Sequence, residues 1–100
     1  MRIFYITLNS DAEARSLANL LLSRRDAVCC NWFPITCAYL WDNEIKEGAE
    51  TVLIVKSVAE KRDAIRVAVA EVIDYTNFIG EIELDGVNDG FTAWLRGVVG

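Results

Sequence analysis

Residues 28–41 read Val28-Cys29-Cys30-Asn31-Trp32-Phe33-Pro34-Ile35-Thr36-Cys37-Ala38-Tyr39-Leu40-Trp41, and they decide the fold. Aromatic and β-branched side chains dominate the stretch, which marks it as a strand. Extended at ~3.3 Å per residue, it spans roughly 46 Å. A compact domain of this size has a radius of gyration of only about 13 Å. The strand must therefore bend, with Pro34 the natural place, or project beyond its own domain. It is also apolar on both faces, since Trp32, Tyr39 and Trp41 mingle with Phe33, Ile35 and Leu40. Helices can cover one face of a sheet built on this strand but not the other. The second layer is expected from further copies of the chain, giving a homo-oligomer held through this strand and the open sheet face.

Outward from the strand, the chain alternates cleanly. Arg2–Leu8 is rich in β-branched and aromatic residues and reads as the first strand. Ser10-Asp11-Ala12-Glu13 then forms a capping box, in which Ser10 and Glu13 can satisfy each other's exposed amides. Behind it Ala14, Leu17, Ala18 and Leu21 recur at helical spacing up to Arg24-Arg25, where cations suit the helix dipole. Thr51–Lys56 is the third strand, and Ser57-Val58-Ala59-Glu60 reads as a second capping box. The helix it opens carries Ile65, Ala68, Val69, Val72 and Ile73 on one face. Glu81–Leu84 is the fourth strand, and a short helix follows from about Asn88 through Phe91, Trp94 and Leu95.

The two boxes share more than their caps: Ser10-x-Ala12-Glu13-x-Arg15 matches Ser57-x-Ala59-Glu60-x-Arg62. Each follows a strand, which supports a duplicated strand–helix–strand plan. The fold class is therefore α+β, a ferredoxin-like split-βαβ sandwich with a short C-terminal helix, in one domain spanning residues 1–100.

Composition removes whole classes of function. The chain has no histidine, which excludes Ser-His and Cys-His nucleophilic pairs and Cys₂His₂ zinc sites. Its net charge of −5 disfavours nucleic acid, whose binding rests on phosphate neutralisation by Lys and Arg. The six glycines form neither a dinucleotide fingerprint nor a phosphate loop. No segment approaches the ~18 apolar residues of a membrane span. Three cysteines, an odd number in neither a CxxC nor a ligand-quartet spacing, fit reduced thiols in a cytoplasmic chain. A chain of 100 residues buries only about 60–65% of its unfolded surface. Its 53% hydrophobic content exceeds what a small monomer hides easily.

These residues resemble the CutA-like divalent-cation tolerance proteins. The resemblance runs through Cys29-Cys30-Asn31-Trp32-Phe33-Pro34, Ile35-Thr36-Cys37-Ala38-Tyr39-Leu40-Trp41 and Ile45, then Glu50-Thr51-Val52-Leu53-Ile54-Val55-Lys56. That family's pattern is approximately C-x-N-x-x-P-G-x-x-S-x-Y-x-W-x-G-x-I followed by E-x-x-L-x-x-K. Glu81-Ile82 is similar to its P-E-I segment, and Phe91-Thr92-Ala93-Trp94-Leu95 to its closing Y-x-x-W-L. The resemblance implies a trimer whose long central strands pair between subunits. It also implies a non-enzymatic role in tolerance of copper and other divalent cations, with no required cofactor and an unidentified protein partner as a further possibility. A PII-like regulatory trimer, binding a small metabolite or nucleotide between subunits, is the alternative.

The departures from the pattern are specific. Pro34 runs straight into Ile35, without the family's glycine. The turn glycine is replaced by Asn43, a residue that also accepts positive φ. Of the His-Pro-Tyr segment only Tyr75 has a counterpart, so the histidine linked to metal is gone.

Cys29 aligns with the family's central cysteine and reads either as a small core thiol or as a soft copper ligand. Cys29 and Cys37 would lie about 26 Å apart along one strand, so one chain cannot bring them to one ion. Cys30 reads as core. Asp42, Glu44, Glu47 and Glu50 could offer oxygens to a hard cation or simply form a solvated turn. For a cleft between subunits the candidate lining is Cys29, Tyr39, Trp41, Lys56, Tyr75, Glu81 and Trp94. Lys56 and Glu81 would supply its charges; packing and ion pairing are the competing roles.

Overall fold

The computed structural model describes residues 1–99. The chain runs β1 (Arg2–Leu8), α1 (Asp11–Ser23), β2 (Cys29–Trp41), β3 (Glu44–Ser57), a 3₁₀ turn (Ala59–Lys61), α2 (Arg62–Val72), β4 (Ile79–Glu83) and α3 (Asp89–Val99). The strands form one antiparallel sheet in the order β2-β3-β1-β4. Phe4, Ile6 and Leu8 of β1 join Leu53 and Val55 of β3 on one face. Against them pack Ala14, Leu17, Ala18 and Leu21 of α1 with Ile65, Ala68 and Val69 of α2. This is a ferredoxin-like α+β sandwich.

The long strand keeps its length by projecting. β2 pairs with β3 from Cys29 opposite Lys56 to Trp41 opposite Glu44, with no slip in register at Pro34. β1 ends where Leu8 faces Thr51. Beyond that point Ile35–Trp41 and Glu44–Glu50 continue as a two-stranded ribbon. The molecule accordingly measures 46 × 27 × 20 Å. Proline is tolerated there because β2 is an edge strand, whose outward amides carry no ladder bond.

Four expectations are corrected. The third strand begins at Glu44 rather than Thr51, so Asp42 and Asn43 alone make the turn. Both have positive φ (51° and 63°), which matches the twist of a hairpin and lets the strands pair immediately. The second capping box does not form. Ser57 closes β3, buried, and its hydroxyl donates to the Asp26 carbonyl, while the 3₁₀ turn starts with no side-chain cap. Finally, β4 begins at Ile79, two residues early, and Ile73 follows α2 in extended conformation while remaining buried.

The first capping box forms with one change of partner. Ser10 Oγ accepts from the Glu13 amide at 3.2 Å, but the Glu13 carboxylate accepts from the Asn9 amide instead of the Ser10 amide. α3 serves the other face of the sheet, where it sets Phe91 beside Lys56 and buries Leu95. The ribbon stays uncovered on both sides. Leu40 and Ile45, cross-strand partners, are 75% and 79% exposed, and Trp41 is 63% exposed.

Candidate functional site

Strand alternation sorts the candidate residues between faces. Cys29 stands directly opposite Lys56 on the face turned away from α1 and α2. The Lys56 ammonium lies 5.5 Å from the centre of the Phe91 ring, and Phe91 meets Trp94 edge to face at 5.3 Å. Cys29, Lys56 and Trp94 thus share one end of that face. Among the described residues Lys56 has no carboxylate within ion-pair distance, whereas Lys46 pairs with Glu44 and Lys61 with Asp26.

Tyr39 and Trp41 lie on the same face but far along the ribbon. Ten residues separate Tyr39 from Cys29 on one strand, roughly 33 Å at strand rise. Cys37 sits between them with its thiol 3.5 Å from the Gly48 carbonyl oxygen; its hydrogen bond with Glu50 pushes the thiol pKa up. Cys30 points to the opposite face, against the main core, and burial pushes its pKa up to about 12. It is a packing residue.

Tyr75 and Glu81 belong to neither group. The Tyr75 hydroxyl donates to Glu13 Oε1 at 2.6 Å and accepts from the Asn9 amide at 2.9 Å. That ties the segment after α2 to the start of α1. Burial, and then the bond to Glu13, push the tyrosine pKa up to about 12. Glu81 faces Phe4, so it lies on the helix side, opposite to Lys56. Arg62 grips both its oxygens and Arg2 adds a third contact at 3.3 Å. The Arg62 guanidinium holds the Glu81 carboxyl below the usual carboxylate range.

One chain therefore does not gather the seven candidates into one cavity. Nor do the residues of one chain fit a metal ion at Cys29. Its cross-strand neighbour is a cation, the Asn31 carboxamide oxygen stands 4.0 Å from its thiol, and among the described residues no three Cys, Asp or Glu side chains converge. The hairpin carboxylates are dispersed as well, with Glu47 on the helix side of the ribbon and Glu44 and Glu50 on the other.

Two groups were missed from sequence. In the Asn9–Glu13–Tyr75 junction, Tyr75 and Glu13 lie 62 positions apart, and no local signal in the sequence points to their contact. The second is the Trp32 indole, which donates to Asp11 Oδ1 at 2.8 Å under the Arg15 guanidinium. Period-2 alternation places Trp32 on the helix face, and nothing local shows that it reaches the start of α1.

The PII-like alternative finds no support: a two-residue turn joins β2 and β3, and the family match is to another group of proteins. Comparison with known proteins points elsewhere. A family model described as CutA1 divalent ion tolerance protein matches residues 2–98. The divalent-cation tolerance protein CutA of Archaeoglobus fulgidus is 38% identical over 72 residues, covering 72% of this chain and 71% of that protein. Its counterpart from Thermococcus kodakarensis is 31% identical over 98 residues, covering 97% and 94%. The structure described as the periplasmic divalent cation tolerance protein CutA from A. fulgidus superposes with a TM-score of 0.94 at 32% identity, covering 100% of both chains. Those names describe tolerance of cations and none describes catalysis. Matched along nearly its whole length and folded like these relatives, the chain belongs to the CutA family.

Proposed function

We propose that this chain acts as a cytoplasmic, single-domain homotrimer in divalent-cation tolerance, as a binding or sensing module and not as an enzyme. The observation that carries the assembly is the bare ribbon. An isolated two-stranded hairpin is marginal in water, and this one leaves Leu40, Trp41 and Ile45 exposed. A further copy laid against it supplies the missing layer, and the free edge of β2 offers unpaired backbone for intersubunit strand pairing. The same packing would bring Tyr39 and Trp41 of one copy towards the Cys29–Lys56 end of another, completing a cleft that one chain leaves divided.

Copper, as Cu(I), is one of the soft ions that suit a cysteine donor. Direct coordination by Cys29 requires donors from another copy, since its own chain offers Lys56 across the ladder. The test is titration of Cu(I), Cu(II) and Zn(II) into the reduced assembly, with Cys29→Ser as control. Stoichiometric binding lost in the variant supports metal sensing through Cys29. Equal binding by both proteins, or none, overturns it.

A further inference from the structure

The end of the open face that holds Lys56 contains a cavity of about 270 Å³, lined by Ile3, Lys56, Leu84, Val87, Asn88 and Phe91 among others. Its walls come from β1, β3, the segment after β4 and the start of α3, all within one chain. Four of these six side chains are apolar. Met1 and Gly86 complete the lining, and its polar side chains are those of Lys56 and Asn88. Asp85 and Asp89 flank the segment in sequence, but neither side chain lines the cavity.

We infer that this cavity is a binding site for a small organic monocarboxylate with an apolar body. The inference rests on the reading of Lys56 as a ligand-binding residue and gives its ligand a chemical class. Charge selects the anion: Lys56 is the one charged side chain lining the cavity and, among the described residues, has no carboxylate partner. An unpaired cation in such surroundings gains most from an anionic group that can accept its hydrogen bonds. Asn88 adds a second polar handle, through its carboxamide, for orientation. The apolar walls select the rest of the ligand, since Ile3, Leu84, Val87 and Phe91 reward burial of a hydrocarbon body. Size sets the limit. Ligand pockets run to roughly 300–1,000 Å³, so this smaller space suits a body of about one aromatic ring.

Phenylacetate is the probe, added to the assembled protein and followed by amide NMR shifts, with phenylacetamide as its neutral counterpart. Saturable shifts should centre on Ile3, Lys56 and Phe91, and the amide should bind about ten-fold more weakly than the acid. Lys56→Met should abolish the preference for the acid while its remaining spectrum shows the native fold. Equal affinity for acid and amide, shifts centred elsewhere, or no saturable shift with millimolar phenylacetate would each overturn the inference. The trimer proposal fails separately. A monomeric mass would refute it while leaving a cavity built from one chain free to bind phenylacetate.

Discussion

The hydroxyl of Tyr75 donates to the carboxylate of Glu13 across 2.6 Å, and both oxygens accept from the amide of Asn9. This junction fixes the entry to α1 against the segment that leads from α2 to β4. Tyr75→Phe should cost about 1–2 kcal/mol, because it removes a hydrogen bond to a charged acceptor. Urea denaturation of the two proteins checks it. A change within a few tenths of a kcal/mol would show that the junction is ornamental.

The same tyrosine predicts an alkaline limit. Its folded pKa is raised, to about 12 against an ordinary 10, so folding favours the neutral phenol. The associated stability is complete below pH 10 and is lost as pH rises from there towards 12. Melting temperature against pH should fall more steeply over that window for the native protein than for Tyr75→Phe. Parallel curves would contradict the assignment.

Asn43 adopts φ 63° at the second turn position of the hairpin. Asn43→Gly should be neutral to within about 0.5 kcal/mol, whereas Asn43→Val should cost about 1–2 kcal/mol, since β-branched residues resist the left-handed region. Thermal denaturation of the three proteins is the measurement. Equal stability of the Gly and Val variants would show that the turn relaxes freely.

This turn also shows what the sequence made legible. Asn43 reads as a residue able to take positive φ, yet composition alone starts the third strand only at Thr51. The segment Glu-Ile-Lys-Glu-Gly-Ala-Glu has little intrinsic strand preference. It becomes strand because a tight turn delivers it to the unbroken ladder of β2. Tertiary pairing also decides Ser57, whose cap-like spacing to Glu60 is genuine but whose hydroxyl is already spent on Asp26. The core was readable throughout, because Ala14, Leu17, Ala18, Leu21, Ile65, Ala68 and Val69 obey the helical period and are buried. The site was less so. Alternation places Cys29 and Lys56 on known faces, but register alone sets them opposite each other and puts Glu81 on the far side of the sheet.

The three thiols should separate in reactivity. Cys30 is buried against the core with its pKa near 12, so it should resist alkylation at neutral pH until the protein unfolds. Iodoacetamide labelling resolved by peptide mass spectrometry tests this. Modification of Cys30 at the rate seen in denatured protein would mean that the β2 root opens readily.

The central claim is that the exposed ribbon exists to be covered by other copies of the chain. Sedimentation equilibrium at micromolar concentration measures this most directly. The account predicts a mass near three times the 11.2 kDa of one chain. A single species at 11.2 kDa would contradict it, leaving Leu40, Trp41 and Ile45 bare in solution.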